Sequence, residues 1–105
     1  MGLLSLLGLG NGPVKEALRK GAVIIDVRTA AEFDQGHIRE AINIPVDRIN
    51  ANAERIRSMN RPVIVCCDSG TRSSIAKQYL FANGMKDNVY NGGSWERVLK
   101  IIRSL

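Results

Sequence analysis

Two short apolar runs, Ala22 to Val27 and Val63 to Cys66, are rich in β-branched residues and interrupted only by Asp26. A strand with one wet face alternates apolar and polar residues. Runs of this kind instead suit strands covered on both faces, as in a parallel sheet. Parallel strands need long crossovers, usually helices, and the intervening segments read that way. Asn11-Gly12-Pro13 opens a helix with Pro13 at its first position, Val14, Ala17 and Leu18 share a face, and Gly21 marks the stop. Thr29-Ala30-Ala31-Glu32 is a capping box, which predicts a short helix from Ala30 to about Gln35, ended by Gly36. Ala41 to Ile44 is a brief strand closed by Pro45. From Val46 the positions Ile49, Ala53 and Ile56 recur at helical spacing until Arg61-Pro62.

Beyond Cys67, the residues Ile75, Ala76, Tyr79 and Leu80 mark a helix that starts near Ser73 and stops at Gly84. Asn88 to Tyr90 reads as a last short strand and Asn91-Gly92-Gly93 as a turn. Ser94 caps a final helix whose apolar stripe is Trp95, Val98, Leu99 and Ile102. The expectation is an α/β domain, with a mostly parallel sheet flanked by helices on both faces and ligands bound beyond the carboxyl ends of its strands.

The loop after Val65 therefore lies where chemistry is expected. A thiol at a strand-to-helix turn meets backbone N–H groups and the positive end of a helix dipole, and both favour the thiolate. On that ground either Cys66 or Cys67 is a candidate nucleophile. Strand alternation sends the two to opposite faces, so a disulfide between them would distort the backbone. With Gly70 the loop can curl around its first side chain and aim N–H groups at a sulfur or an anion. Arg72 adds a forked cation that either contacts an oxyanion or ties the loop down. Asp68 would oppose an anionic substrate and is expected to face solvent. Asp26 and Arg28 suit a strand-end ion pair, His37 a hydrogen-bonded structural role, and Trp95 a packing role.

Composition narrows the class. The chain of 105 residues, 45% apolar and 24% charged, is enough for one globular domain over 1–105. The net charge of +5 comes from Lys and Arg scattered along the chain. Without aromatic-interleaved clusters it reads as a solvated basic surface that attracts small anions, with no nucleic-acid partner expected. Two adjacent cysteines and one histidine make neither a disulfide framework nor a zinc set. Free thiols suit a reducing compartment, hence a cytoplasmic location. The apolar start, residues 1–12 with Leu3 to Leu9 at its centre, is too short to span a bilayer. It lacks a basic flank and a cleavage site, and Leu6 breaks the myristoylation pattern. It is expected to pack on the domain or fray, without stable membrane insertion.

Three stretches then stand together. Ile25-Asp-Val-Arg-Thr-Ala-Ala-Glu-Phe-Asp-Gln-Gly-His-Ile-Arg-Glu-Ala-Ile-Asn-Ile-Pro45, Val65-Cys-Cys-Asp-Ser-Gly-Thr-Arg-Ser73 and Asn91-Gly-Gly-Ser-Trp95 resemble, in order, the signatures of the rhodanese family. The resemblance implies a central sheet of about five strands between helices. It implies Cys67 as a sulfur-accepting nucleophile and Asp68, Ser69, Gly70, Thr71 and Arg72 as the loop that cradles a persulfide, with Asp26, Arg28 and Ser73 in support. The implied partners are a small anionic sulfur donor such as thiosulfate and a thiophilic acceptor: cyanide, a thiol or a protein. No metal or organic cofactor is implied. The position before the nucleophile, often aromatic in the family, is Cys66 here, and strand alternation points its thiol away from the loop.

Two rivals remain in view. Cys66 to Arg72 also has the Cys-x5-Arg spacing of cysteine-dependent phosphatases and some arsenate reductases, although Gly70 is out of step with that pattern. A persulfide carrier or binding module serving a protein partner would keep the same nucleophile.

Overall fold

The computed structural model describes residues 11–105. Helix α1 (Gly12–Arg19) leads into strand β1 (Val23–Asp26), which is followed by helix α2 (Ala30–Asp34) and strand β2 (Ile42–Asn43). A 3-10 turn (Val46–Arg48) runs straight into helix α3 (Ile49–Arg57). Strand β3 (Val63–Cys67), helix α4 (Thr71–Ala82), strand β4 (Val89–Ser94) and helix α5 (Trp95–Arg103) complete the order. The strands form one sheet in the order β2-β1-β3-β4, and every adjacent pair is parallel.

All nine residues of β1 and β3 are buried, which matches sequence runs that never alternate. Their side chains divide between two cores. Val23, Ile25, Val63, Val65 and Cys67 face α3 and α4, meeting Ile49, Ala53, Ile56, Ala76 and Leu80. Ile24, Ile64 and Cys66 face α1 and α5, meeting Val14, Ala17, Val98 and Ile101. Burying one such aliphatic side chain contributes roughly 1.5–3 kcal/mol, so the sheet with both its layers is the main source of stability.

Local signals act as their spacing predicts. Pro13 sits in the first turn of α1. Thr29 and Glu32 close a full capping box on α2, and the Ser94 hydroxyl accepts from Arg97 N–H at the start of α5. The buried positions of α3 are Ile49, Ala53 and Ile56.

Four readings need correction. The described residues hold four strands where about five were expected, because no further apolar run remains between residues 11 and 105 to supply one. The buried side of α4 is Ser73, Ala76 and Leu80, while Ile75 and Tyr79 are each 37% exposed. Turning the helix toward the loop buries a serine in place of two larger apolar groups. In α5 the fully buried pair is Val98 and Ile101, with Trp95, Leu99 and Ile102 half-buried around the same core.

The fourth correction bears on the site. Asn91-Gly92-Gly93 is not a turn but part of β4, whose pairing to β3 slips between Val65 and Cys66 and leaves Gly92 as the extra residue. A Cβ on Gly92 would lie 2.5 Å from Val98 Cγ2 and 2.9 Å from Ile64 Cγ2, so only glycine fits this bulge. The apolar segment Leu3 to Leu9 lies outside the described residues. Among those residues no helix is long and apolar enough to cross a membrane.

Candidate active site

The carboxyl ends of β1, β3 and β4 converge on the loop that joins β3 to α4. Cys67 ends β3 with its side chain on the α4 side of the sheet, and the chain then turns through Asp68 and Ser69 to Gly70. Gly70 precedes α4 with φ of +102°, a left-handed conformation that favours glycine, and this lets the loop fold back over the sulfur. Its N–H donates to Cys67 Sγ at 2.9 Å. Ser73 Oγ lies 3.5 Å from the same sulfur.

The two thiols are in opposite electrostatic situations. Burial raises the Cys67 pKa, but hydrogen bonds from the Ser73 hydroxyl and from the N–H groups of Ser73, Gly70 and Ser69 outweigh it and leave the thiol below its ordinary value. Burial pushes the Cys66 thiol well up, and Asp26 adds to the effect. Cys66 points into the α1 and α5 core, away from the loop.

Arg72 lies in the first turn of α4 and is held by two carboxylates. Glu32 of α2 receives it at both oxygens, at 2.7 and 2.9 Å, and Asp68 Oδ1 lies 3.2 Å away. Of the two roles open from the sequence, loop fastening is the one this geometry displays. Asp68 keeps 59% of its side chain exposed. Glu32 also accepts from the Thr29 N–H and hydroxyl, each at 3.0 Å, so one side chain closes the cap of α2 and pins the loop.

Hydrogen bonding to Arg72, and then to Thr29, lowers the Glu32 pKa from 4.5 to about 2. A carboxylate depressed in the folded state stabilises the fold fully above its unfolded pKa and loses that contribution as pH falls through the folded value. The pin is therefore intact above pH 4.5 and lost on acidification toward about 2. Thermal melts of wild type and Glu32→Gln across this window check it. The wild-type melting temperature will fall more steeply with acid, and parallel curves would sink the prediction.

Beneath the loop, Asp26 and Arg28 form the strand-end pair. Arg28 Nη2 lies 2.7 Å from Asp26 Oδ2, with 6% and 0% of the side chains exposed. The same guanidinium donates to Gly36 O at 2.7 Å and Glu32 O at 3.2 Å, and it stacks 5.0 Å above the Trp95 ring. Connected contacts thus run from the end of β1 through Arg28 to α2, and through Glu32 to Arg72. His37 stands apart: its Nδ1 is 2.6 Å from Phe33 O and its ring stacks on Phe33.

Sequence reasoning missed two residues. Glu32 was legible only as a helix cap, since its partner lies forty positions on. Asn91, read as part of a turn, places Oδ1 2.6 Å from Ser73 Oγ and 2.9 Å from Gly93 N, and its Nδ2 donates to Gly70 O at 3.2 Å. A strand reading of Val89 to Asn91 would have set Asn91 on the same face as Val89.

The rhodanese-like domain family model matches residues 11–99. YqhL of Bacillus subtilis, an uncharacterised protein, is 39% identical over 80 residues; these cover 73% of this chain and 62% of that protein, less than two thirds of its length. Thiosulfate sulfurtransferase GlpE of Pseudomonas fluorescens is 37% identical over 83 residues, covering 77% of this chain and 74% of that one. A solved rhodanese with anions from E. coli has a TM-score of 0.66 and 32% identity, covering 73% of this chain and 91% of that chain. The loop that folds over Cys67 and the match across most of its length thus place this chain in the rhodanese-like domain family.

Proposed function

We propose that this chain is a sulfurtransferase that carries a sulfane sulfur on Cys67 as a persulfide. The observation that carries the reading is the state of Cys67, which is shielded from solvent yet has its pKa lowered by the loop that covers it. Donors that stabilise a thiolate also stabilise anionic sulfur as charge moves during transfer. In the first half, the Cys67 thiolate attacks the outer sulfur of thiosulfate or a related donor. The new bond forms at Sγ, the donor's S–S bond breaks, and its electron pair leaves on sulfite. In the second half, cyanide or the thiolate of a small molecule or protein attacks the outer sulfur, and Cys67 departs as a thiolate.

Neither half requires a side chain to move a proton, which is consistent with His37 being engaged by Phe33. Because Cys67 has no exposed surface, the donor reaches it when the Asp68 to Gly70 segment swings aside, and the closed loop then keeps water from the persulfide. The likeness to proteins named thiosulfate sulfurtransferase supports thiosulfate as donor. The Cys-x5-Arg reading is disfavoured by the burial of Cys66 in the opposite core, its raised pKa, and the engagement of Arg72 by Glu32.

The test is to incubate the protein with thiosulfate, remove the donor, and measure intact mass, followed by fragmentation across the two cysteines. The expected result is a gain of one sulfur atom on Cys67, lost on adding cyanide or a thiol. No sulfur gained from thiosulfate or an organic persulfide, or sulfur found on Cys66, would overturn the proposal.

A further inference from the structure

We propose that Asn91 is a positioning residue that directs the single hydroxyl proton of Ser73 and thereby sets how Cys67 is held through the two halves of transfer. The inference rests on the persulfide reading above and extends it to a residue outside the loop. Ser73 is fully buried, and its hydroxyl has three acceptors within reach: Asn91 Oδ1 at 2.6 Å, Gly70 O at 3.0 Å and Cys67 Sγ at 3.5 Å. A hydroxyl donates one proton, so the three compete.

With Cys67 as a thiol, the proton of Ser73 goes to Asn91 and the thiol can donate to Ser73 Oγ. With Cys67 as a thiolate, the sulfur has no proton of its own and becomes the strongest acceptor, so the hydroxyl turns to it. When the outer sulfur is taken up, Sγ becomes a neutral bridging atom and the negative charge moves outward. The hydroxyl then swings back to Asn91, and discharge reverses the motion. Only a hydrogen bond is reoriented, and no proton is transferred. Without Asn91, the buried hydroxyl would have only the more distant Gly70 carbonyl to fall back on while Sγ is neutral.

Asn91 is built into this place. It follows Val89 and Tyr90 on β4, opposite Val65, immediately before the Gly92 bulge. Its Oδ1 accepts from the N–H of Gly93, and its Nδ2 donates to the carbonyl of Gly70. The bulge, the loop and the serine that touches the nucleophile are joined by one amide.

The charged and titratable groups around Cys67 and its loop include Cys66 on β3, Asp26 and Arg28 at the end of β1, Glu32 on α2, Asp68 and Arg72 of the loop and α4, and Lys77 of α4 and Arg97 of α5, which line the cavity beside Ser69, Gly70 and Thr71. The 3-10 turn packed on α4 carries Asp47 and Arg48. Apart from Cys66, which is alanine in every protein compared, none of these is altered in the test, so their influence is common to all variants compared.

The test is the pH profile of Cys67 alkylation by iodoacetamide in a Cys66→Ala background, read for Ser73→Ala, Asn91→Ala and the double variant. Ser73→Ala removes the donor and will raise the midpoint by about half to one pH unit. Asn91→Ala removes the competing acceptor, leaves the hydroxyl to the sulfur, and will lower it by a similar amount. In the double variant the midpoint will equal that of Ser73→Ala alone, since Asn91 acts through the serine. If both single variants raise the midpoint, Asn91 serves only to support the loop and the proposal is overturned. Additive effects in the double variant overturn it as well. Asn91→Leu, close in volume, gives the same readout should Asn91→Ala fold poorly. Alkylation does not depend on sulfur transfer, so failure of the persulfide reading is seen separately, as no sulfur on wild-type Cys67.

Discussion

Cys67→Ser will lose sulfur transfer by about a thousandfold or more, while Cys66→Ala will keep it within about threefold. The two cysteines are neighbours in sequence, so the contrast comes from their surroundings. Cys67 ends β3 beneath a loop that donates Gly70 N–H to its sulfur, and its pKa is lowered despite burial. An alcohol in its place is scarcely ionised at neutral pH and cannot accept a sulfur to form a persulfide. Cys66 faces the opposite core with its thiol pushed up, and on the proposed reading it packs and takes no part in the transfer. Its truncation leaves a small cavity and costs about 1–2 kcal/mol. Steady-state transfer from thiosulfate to cyanide, with circular dichroism to confirm folding, checks both. Activity that survives in Cys67→Ser and vanishes in Cys66→Ala would assign the chemistry to the wrong thiol.

The largest loss of stability is expected from Asp26→Ala, at about 3–5 kcal/mol. Arg28 is 5% exposed and receives no other carboxylate in its place, so removing Asp26 leaves a buried cation with only the carbonyls of Gly36 and Glu32 and the face of Trp95. For a domain of this size, with a total stability of roughly 5–15 kcal/mol, such a loss lowers the melting temperature by about 15 °C. The effect lies in the orphaned charge more than in the value of the pair. Asp26→Leu combined with Arg28→Met, which removes both charges, will therefore melt higher than Asp26→Ala alone. Urea unfolding of the three proteins decides it, and a double variant less stable than the single one would refute the account. Because Arg28 also holds the carbonyl of Glu32, Asp26→Ala will loosen the pin on Arg72 as well.

Much of the fold was legible in the sequence because its signals are local. Continuous apolar runs mark strands buried on both faces, and Thr29 with Glu32 or Ser94 before α5 mark helix starts through contacts three residues long. Errors arose where a distant neighbour overrode a local pattern. Gly92 and Gly93 have turn chemistry, yet both continue β4: Gly93 pairs with Cys66 of β3, and Gly92 forms the bulge, where Val98 and Ile64 leave room for no side chain. Ile75 and Tyr79 have the size for a core, yet α4 buries Ser73 because the serine has partners in Cys67 and Asn91.

The sequence alone determined the parallel α/β order, the loop at the end of β3 and, through strand alternation, that Cys66 and Cys67 face opposite sides of the sheet. Those follow from periodicities of two and 3.6 residues, which are properties of neighbouring positions. Only the tertiary structure decided what fastens the loop and what faces the sulfur. Glu32 meets Arg72 across forty residues, and Asn91 meets Ser73 across eighteen. Such pairs are set by how the carboxyl ends of separate strands come together, and no spacing along the chain encodes them.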